Sequence, residues 1–230
     1  MNRKLLELDN VSKNYVEDRS GSLITVLSGV SLEISAGDSV SVSGPSGSGK
    51  STLLNITGAL DRPSSGRVIF RDEDISGFSD SRLSMLRNKN IGFIFQMHHL
   101  LPQCTVMENI LVPTIPFPSK QAEEYREDAL RLLDSVGLRR RSGHKPAQLS
   151  GGERQRAAVA RALINDPDII LADEPTGSLD RSAAQDVADL ILGLNRSRNK
   201  ALVIVTHADD LAEKSDKKYE LRDGRLLKVS

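Results

Sequence analysis

Residues Gly44-Pro45-Ser46-Gly47-Ser48-Gly49-Lys50-Ser51, continued by Thr52, spell G-x-x-x-x-G-K-[ST]. That spacing suits a loop wrapped around phosphates. Glycines at 44, 47 and 49 allow a turn tight enough for successive backbone N–H groups to converge on phosphate oxygens. A helix starting near Lys50 adds the positive end of its dipole. Lys50 then reaches the β- and γ-phosphates of a nucleoside triphosphate, and Ser51 ligates Mg²⁺. A second stretch, Asp168-Ile169-Ile170-Leu171-Ala172-Asp173-Glu174, reads as a buried strand ending in two acids. Acids in that position are costly unless they have work to do. Asp173 is placed to hold Mg²⁺, and Glu174 to polarise an attacking water as general base.

A third element, Leu149-Ser150-Gly151-Gly152-Glu153, lies about a hundred positions after the loop. Ser150 and Glu153 form an S-x-x-E capping box that opens a helix, and Ala157, Ala160 and Ile164 give that helix an apolar stripe. A cap does not require two glycines, each of which lowers helix propensity by about 1 kcal/mol. They make sense where something must approach the backbone closely, such as a γ-phosphate. The first loop already surrounds its own triphosphate. This second phosphate reader therefore suits the nucleotide of another subunit.

The elements that must position these residues follow from hydrophobic pattern. Ile91 to Phe95, Ile169 to Ala172 and Leu202 to Val205 are short β-rich runs suited to strands buried on both faces of a parallel sheet. Ser39 to Ser43 feeds the glycine-rich loop as a further strand, and Lys50 to Leu60 reads as the helix after it. Ser119 to Val136 has helical periodicity through Tyr125, Ala129, Leu132, Leu133 and Val136. A Gly-, Pro- and Arg-rich connector, Gly137 to Gln148, then leads to the capped helix. Met97 to about Leu163 is expected to form a mostly helical lobe inserted into an α/β core.

Bulk composition bounds the partners. At 230 residues the chain can build one substantial core but not two large domains. Lysine plus arginine equals aspartate plus glutamate at 31 each, and there is no tryptophan, which argues against nucleic acid as a partner. One cysteine, Cys104, points to a reducing compartment. No apolar run approaches the ~18 residues of a membrane span, so a cytoplasmic location is expected, with any membrane role coming through a partner. His98 and His99 are adjacent with no acid or Cys cluster nearby, so they are not read as a metal site. The run Arg139-Arg140-Arg141 reads as a solvated helix end.

Taken together, the loop at 44 to 51, LSGGE at 149 to 153, Asp173-Glu174-Pro175-Thr176-Gly177-Ser178-Leu179-Asp180 and Thr206-His207 resemble the ATP-binding subunits of ABC transporters, over essentially the whole chain. The resemblance implies an α/β P-loop NTPase of the ABC ATPase type. It would have a RecA-like core (about 1–96 and 164–230), an antiparallel β subdomain and an inserted helical subdomain (about 97–163). It further implies that Tyr15, 35 positions before Lys50, stacks on adenine. Gln96 would touch Mg²⁺ and water and sense the membrane partner. His207 would contact the γ-phosphate and Asp180 would cross a dimer interface. In that family two subunits pack head to tail, so Ser150, Gly151 and Gly152 complete the partner's ATP site.

Phe95-Gln96-Met97-His98-His99-Leu100-Leu101-Pro102, Glu108-Asn109-Ile110 and Gly152-Glu153-Arg154-Gln155-Arg156 are similar to the lipoprotein-releasing (LolD-type) subfamily. MacB-type and peptide-export ATPases share much of the pattern. This implies an ATPase on the cytoplasmic face of the inner membrane, working with integral membrane permease subunits. Three positions depart from the family: Ala208 follows His207 where many relatives have Asp, and Ser39 and Ser41 polarise a strand that is usually more aliphatic. Soluble DNA-repair relatives would carry a long coiled coil between the loop and LSGGE, and ribosome-associated ones two motif sets; neither is present. Intact Glu174 and His207 argue against a non-hydrolysing scaffold.

Overall fold

The computed structural model describes residues 4–16 and 22–229, with Asp209 by its backbone alone. The chain opens with two long strands, β1 (Lys4–Val16) and β2 (Leu23–Ser35), then β3 (Ser39–Ser43) and helix α1 (Lys50–Thr57). Next come β4 (Ser65–Phe70), β5 (Glu73–Asp74), α2 (Asp80–Asn90) and β6 (Ile91–Phe95). A helical stretch follows: α3 (Val106–Leu111), α4 (Ala122–Ser135) and α5 (Gly151–Leu163), with short 3₁₀ turns between them. The remainder is β7 (Ile169–Asp173), α6 (Arg181–Arg198), β8 (Ala201–Val205), α7 (Asp209–Glu213), β9 (Lys217–Arg222) and β10 (Arg225–Lys228).

The strands form two sheets. An antiparallel one has the order β2-β1-β4-β5, and a six-stranded one the order β10-β9-β3-β8-β7-β6. In the larger sheet β9, β3, β8, β7 and β6 are parallel, and β10 closes the edge as a hairpin. Strands β8 and β7 are apolar on both faces because both faces are covered. Successive side chains alternate between two cores. Ile169 and Leu171 of β7 and Ala201, Val203 and Val205 of β8 join α1 and the antiparallel sheet. Ile170, Ala172, Leu202 and Ile204 join α3 to α6. The helical stretch therefore shares its core with the sheet.

β3 obeys the same alternation with a polar twist. Val40 and Val42 enter the first core, while Ser39 and Ser41 are buried on the other side. There the Ser41 hydroxyl donates to the Ala212 carbonyl at 3.3 Å, tying β3 to α7. Close backbone approach explains Gly92 in β6: a Cβ there would lie 2.5 Å from the Ala162 carbonyl of α5.

Helix α1 is three residues shorter than its pattern suggests. It ends at Thr57 through Leu60 N–H donating to Asn55 O (2.8 Å) and Ala59 N–H to Ile56 O (3.0 Å). This is a Schellman cap whose left-handed residue is Ala59, at φ 53°. An alanine in the position that normally calls for glycine leaves no sign in the sequence. The expected helix over 119–136 runs Ala122–Ser135. The arginine triplet forms an exposed 3₁₀ turn, Arg139–Arg141, in which Arg139 pairs with Asp134.

Candidate nucleotide site

Four parallel strands end at one rim. Val42 pairs with Val205, Val205 with Asp173, and Asp173 with Phe95, so these residues stand abreast across β3, β8, β7 and β6. The residues that follow each of them, Gly44, His207, Glu174 and Gln96, are thereby delivered to one place. In open α/β sheets such a crevice beyond the carboxyl ends of the strands is where ligands bind. Here it is a cleft of about 680 Å³ lined by Ser46, Gly47, Gly49, Lys50, Ser51, Thr52, Gln96, Asp173, Glu174 and His207, with Val26 and Gly177.

The loop from 44 to 49 runs from β3 into α1. Gly49 has φ 99°, and a Cβ there would come within 2.8 Å of Val26 on β2. Lys50 is buried, and its ammonium donates to the Gly44 (2.8 Å) and Pro45 (3.0 Å) carbonyls. Helices α2, α3, α5 and α6 begin on Ser79, Thr105, Ser150 and Asp180, each accepting a backbone N–H. α1 begins on Gly49 with no side-chain cap and no acid in its first turn. Its first amides and the buried, unpartnered Ser48 hydroxyl suit an anion with several oxygens. A triphosphate fits that cradle.

Across from the loop, Glu174 has φ 45°, and its N–H donates to Val205 O at 2.9 Å, joining the ends of β7 and β8. One carboxylate oxygen accepts from the His207 amide (3.2 Å) and the Thr206 hydroxyl (3.3 Å). The other lies 3.4 Å from His207 Nε2 and is buried without a hydrogen bond. It is thus an unpartnered acceptor, fixed in direction, on a residue that lines the cleft. Gly177 lets Gln96 in: a Cβ there would sit 3.0 Å from the Gln96 amide nitrogen. Ser51, Asp173 and Gln96 contribute hard oxygen donors of the kind Mg²⁺ takes alongside phosphate oxygens and water. Among the described residues no three His, Cys, Asp or Glu side chains cluster to hold a metal alone, so a magnesium ion here fits only in company with a nucleotide.

Tyr15 lies outside these walls, at the end of β1. Its hydroxyl donates to Asp61 at 2.8 Å, and the Lys13 ammonium lies 4.9 Å from the ring centroid while donating to the same carboxylate at 2.7 Å. Partial burial, followed by the bond to Asp61, raises the Tyr15 phenol above its ordinary value. Burial alone would raise Asp61, but the donors Lys13, Tyr15 and the Arg62 amide outweigh it and hold the carboxyl low. Sequence reasoning missed Asp61, Lys13 and Val26. No motif marks them, and their partners lie on other elements.

A second group forms elsewhere. The capping box is made: Ser150 Oγ accepts from Glu153 N–H (3.2 Å), and Ser150 N–H donates to the Glu153 carboxylate (2.8 Å). That carboxylate also takes Arg141 at 3.2 Å. The Ser150 amide first, helped by its hydroxyl and Arg141 against partial burial, keeps Glu153 below the usual carboxylate range. Asp180 caps α6 by accepting from the Ala183 N–H at 3.0 Å. The start of α6 abuts the glycines. A Cβ on Gly152 would lie 3.1 Å from Ala183 Cβ, and one on Gly151 would lie 3.3 Å from Leu179. Gly152 therefore has a packing reason within the chain besides any phosphate. Ser150, Gly151, Gly152 and Asp180 sit together, and none of them lines the cleft at Lys50.

The chain is similar to known proteins both in sequence and in backbone. The ABC transporter family pattern matches residues 27–177. The chain is 46% identical over 226 residues to the lipoprotein-releasing system ATP-binding protein LolD of Legionella pneumophila (strain Paris), covering 98% of each. It is 44% identical over 228 residues to the LolD protein of Idiomarina loihiensis, covering 99% of each. Among solved structures, a dimeric ATP-binding cassette in a post-hydrolysis state, bound to ADP and Pi, superposes with TM-score 0.88 at 40% identity, covering 98% of this chain and 99% of that one. A nucleotide-free cassette superposes with TM-score 0.82 at 27% identity, covering 99% and 90%. Likeness of this extent, in sequence and in backbone alike, means that the chain belongs to the ABC transporter family as an ATP-binding cassette.

Proposed function

We propose that this chain is the ATP-hydrolysing subunit of a membrane transporter that releases lipoproteins from the inner membrane. Two copies would act head to tail beneath the permease subunits. The observation that carries the reading is the row of strand ends that sets Lys50, Gln96, Asp173, Glu174 and His207 around one cleft. Full-length similarity to LolD proteins supports the lipoprotein substrate. No helix of the described residues is long and apolar enough to cross a membrane, so the membrane path belongs to partners.

The chemistry is in-line attack of water on the γ-phosphorus. The backbone amides of residues 47 to 52 and the Lys50 ammonium hold the β- and γ-phosphates, whose negative charge they offset as the bridging bond breaks. Glu174 accepts the proton of the attacking water, its carboxylate fixed by Thr206 and the His207 amide. The water's oxygen becomes part of the released phosphate, and ADP leaves with the bridging oxygen. His207 donates to the γ-phosphate, and Tyr15 stacks on the adenine. Mg²⁺, when bound through Ser51, Asp173 and Gln96, supplies charge neutralisation across the phosphates. Ser150, Gly151 and Gly152 would close the partner's site on its γ-phosphate, and Asp180 would lie at the same interface.

The test is Glu174→Gln. Hydrolysis should fall by about 10² to 10⁴-fold, the usual worth of a general base, while ATP still binds and brings two copies together. Undiminished turnover would overturn Glu174 as the base. Copurification from membranes with a permease of four transmembrane segments and a large periplasmic domain is expected. Recovery with an importer-type permease and a binding protein would overturn lipoprotein release.

A further inference from the structure

Segment 95–99 leaves β6 and carries Gln96, whose carbonyl accepts from the Ser178 hydroxyl at 3.2 Å, while one helix grips it on either side. From α5, Gln155 donates to the Phe95 carbonyl at 3.0 Å. Arg161 donates to the His98 and His99 carbonyls at 2.6 and 2.5 Å. His99 sits at φ 46°, its ring 5.2 Å from that of Phe95, so the turn is a conformation the grip must hold. These contacts reach backbone carbonyls, which any residue supplies. One contact does not. Arg154 Nε donates to His98 Nε2 at 2.8 Å, so the imidazole must present an acceptor there. The same guanidinium donates through Nη1 to the Leu149 carbonyl at 2.6 Å, one residue before Ser150. Among the described residues, Arg154 is thus the single side chain bonded both to the loop that ends at Ser150 and to the turn that begins at Gln96.

We propose that Arg154 and His98 form a positioning pair that fixes the Leu149–Ser150 loop relative to the Gln96 segment. A displacement of that segment would then move the surface offered to the second copy's nucleotide. The flanking residues Met97 and Leu101 are exposed, so the segment is open to a push from outside. The inference rests on the reading above that Ser150 to Gly152 complete a site in another copy. Neither residue of the pair touches the cleft at Lys50, so nucleotide binding to a single chain is independent of it.

The experiment uses the full chain in a Glu174→Gln background and reads ATP-dependent dimerisation by light scattering, with ATP binding to the monomer measured separately. His98→Leu should raise the ATP concentration for half-dimerisation about tenfold, the effect of one charge-assisted hydrogen bond. Arg154→Leu should do the same, and the double variant should be no worse than either single one. His98→Gln, which restores an acceptor, should recover most of the loss. Unchanged dimerisation in His98→Leu overturns the pair, as do losses that multiply in the double variant or a glutamine that rescues nothing. A Glu174→Gln parent that never dimerises with ATP overturns the shared-site reading, and the pair's role with it.

Discussion

Asp61 shows how much a single side chain can settle. It holds Tyr15 by the hydroxyl and Lys13 by the ammonium, so the aromatic ring at the end of β1 is fixed in direction. Stacking a base on an aromatic ring is worth about 1–3 kcal/mol. Tyr15→Ala should therefore raise KM for ATP about tenfold, and Asp61→Ala severalfold, with kcat little changed in steady-state assays. A base platform stabilises ground and transition states alike, so a fall in kcat at constant KM would contradict it. That Lys50, Asp173 and Glu174 share a cleft was legible from a glycine-rich loop and a strand ending in two acids, whereas Gln96 and His207 were reached only through the family resemblance. Asp61 was not legible, since its meaning depends on Tyr15, 46 positions away. Nor was Val26, an ordinary β-branched strand residue until β2 is laid against the phosphate loop.

At the scale of elements, period and caps carried most of the reading, and failures came where two elements touch. The buried strands were visible as apolar runs, and α5 as a capping box with an alanine stripe. The glycines of that box were legible as an anomaly but only half explained, because the approach of α6 to Gly152 is invisible in one dimension. β6 and α5 meet in the same way at Gly92. Gly92→Ala should cost about 1–3 kcal/mol by overpacking, read as a lower denaturation midpoint with an unchanged slope. The capping box also has a pH signature. Glu153 titrates below its ordinary 4.5 in the folded chain, so its contribution is complete above that value and fades as pH falls through the lower folded value. Glu153→Gln, which keeps a side-chain acceptor, should flatten that part of the acid limb in thermal melts taken between about pH 6 and pH 3. An unaltered limb would show that the box contributes nothing measurable.

For the whole molecule, β7 and β8 matter most because each lines both cores with alternate residues. Ile170→Ala and Leu171→Ala strike opposite faces of one strand. Each should cost about 2–5 kcal/mol, and both should lower the midpoint of one calorimetric transition. Two resolved transitions would mean that the helical stretch melts apart from the sheet. The proposed pairing of two copies rests on an argument about surplus: LSGGE reads as a second phosphate site, and none of its residues lines the cleft at Lys50.

The bare start of α1 has a consequence beyond catalysis. Four other helices satisfy their first amides from their own side chains, whereas α1 leaves that task to an anion. A ligand that binds only the folded chain adds RT ln(1 + [L]/Kd) to its stability, about 2.7 kcal/mol at a hundred times Kd. The lifetime of the folded chain is therefore tied to the cell's nucleotide pool. ADP brings phosphates to the same bare amides, so the folded chain would keep that support after the fuel is spent and lose it only when the cleft is emptied of both nucleotides.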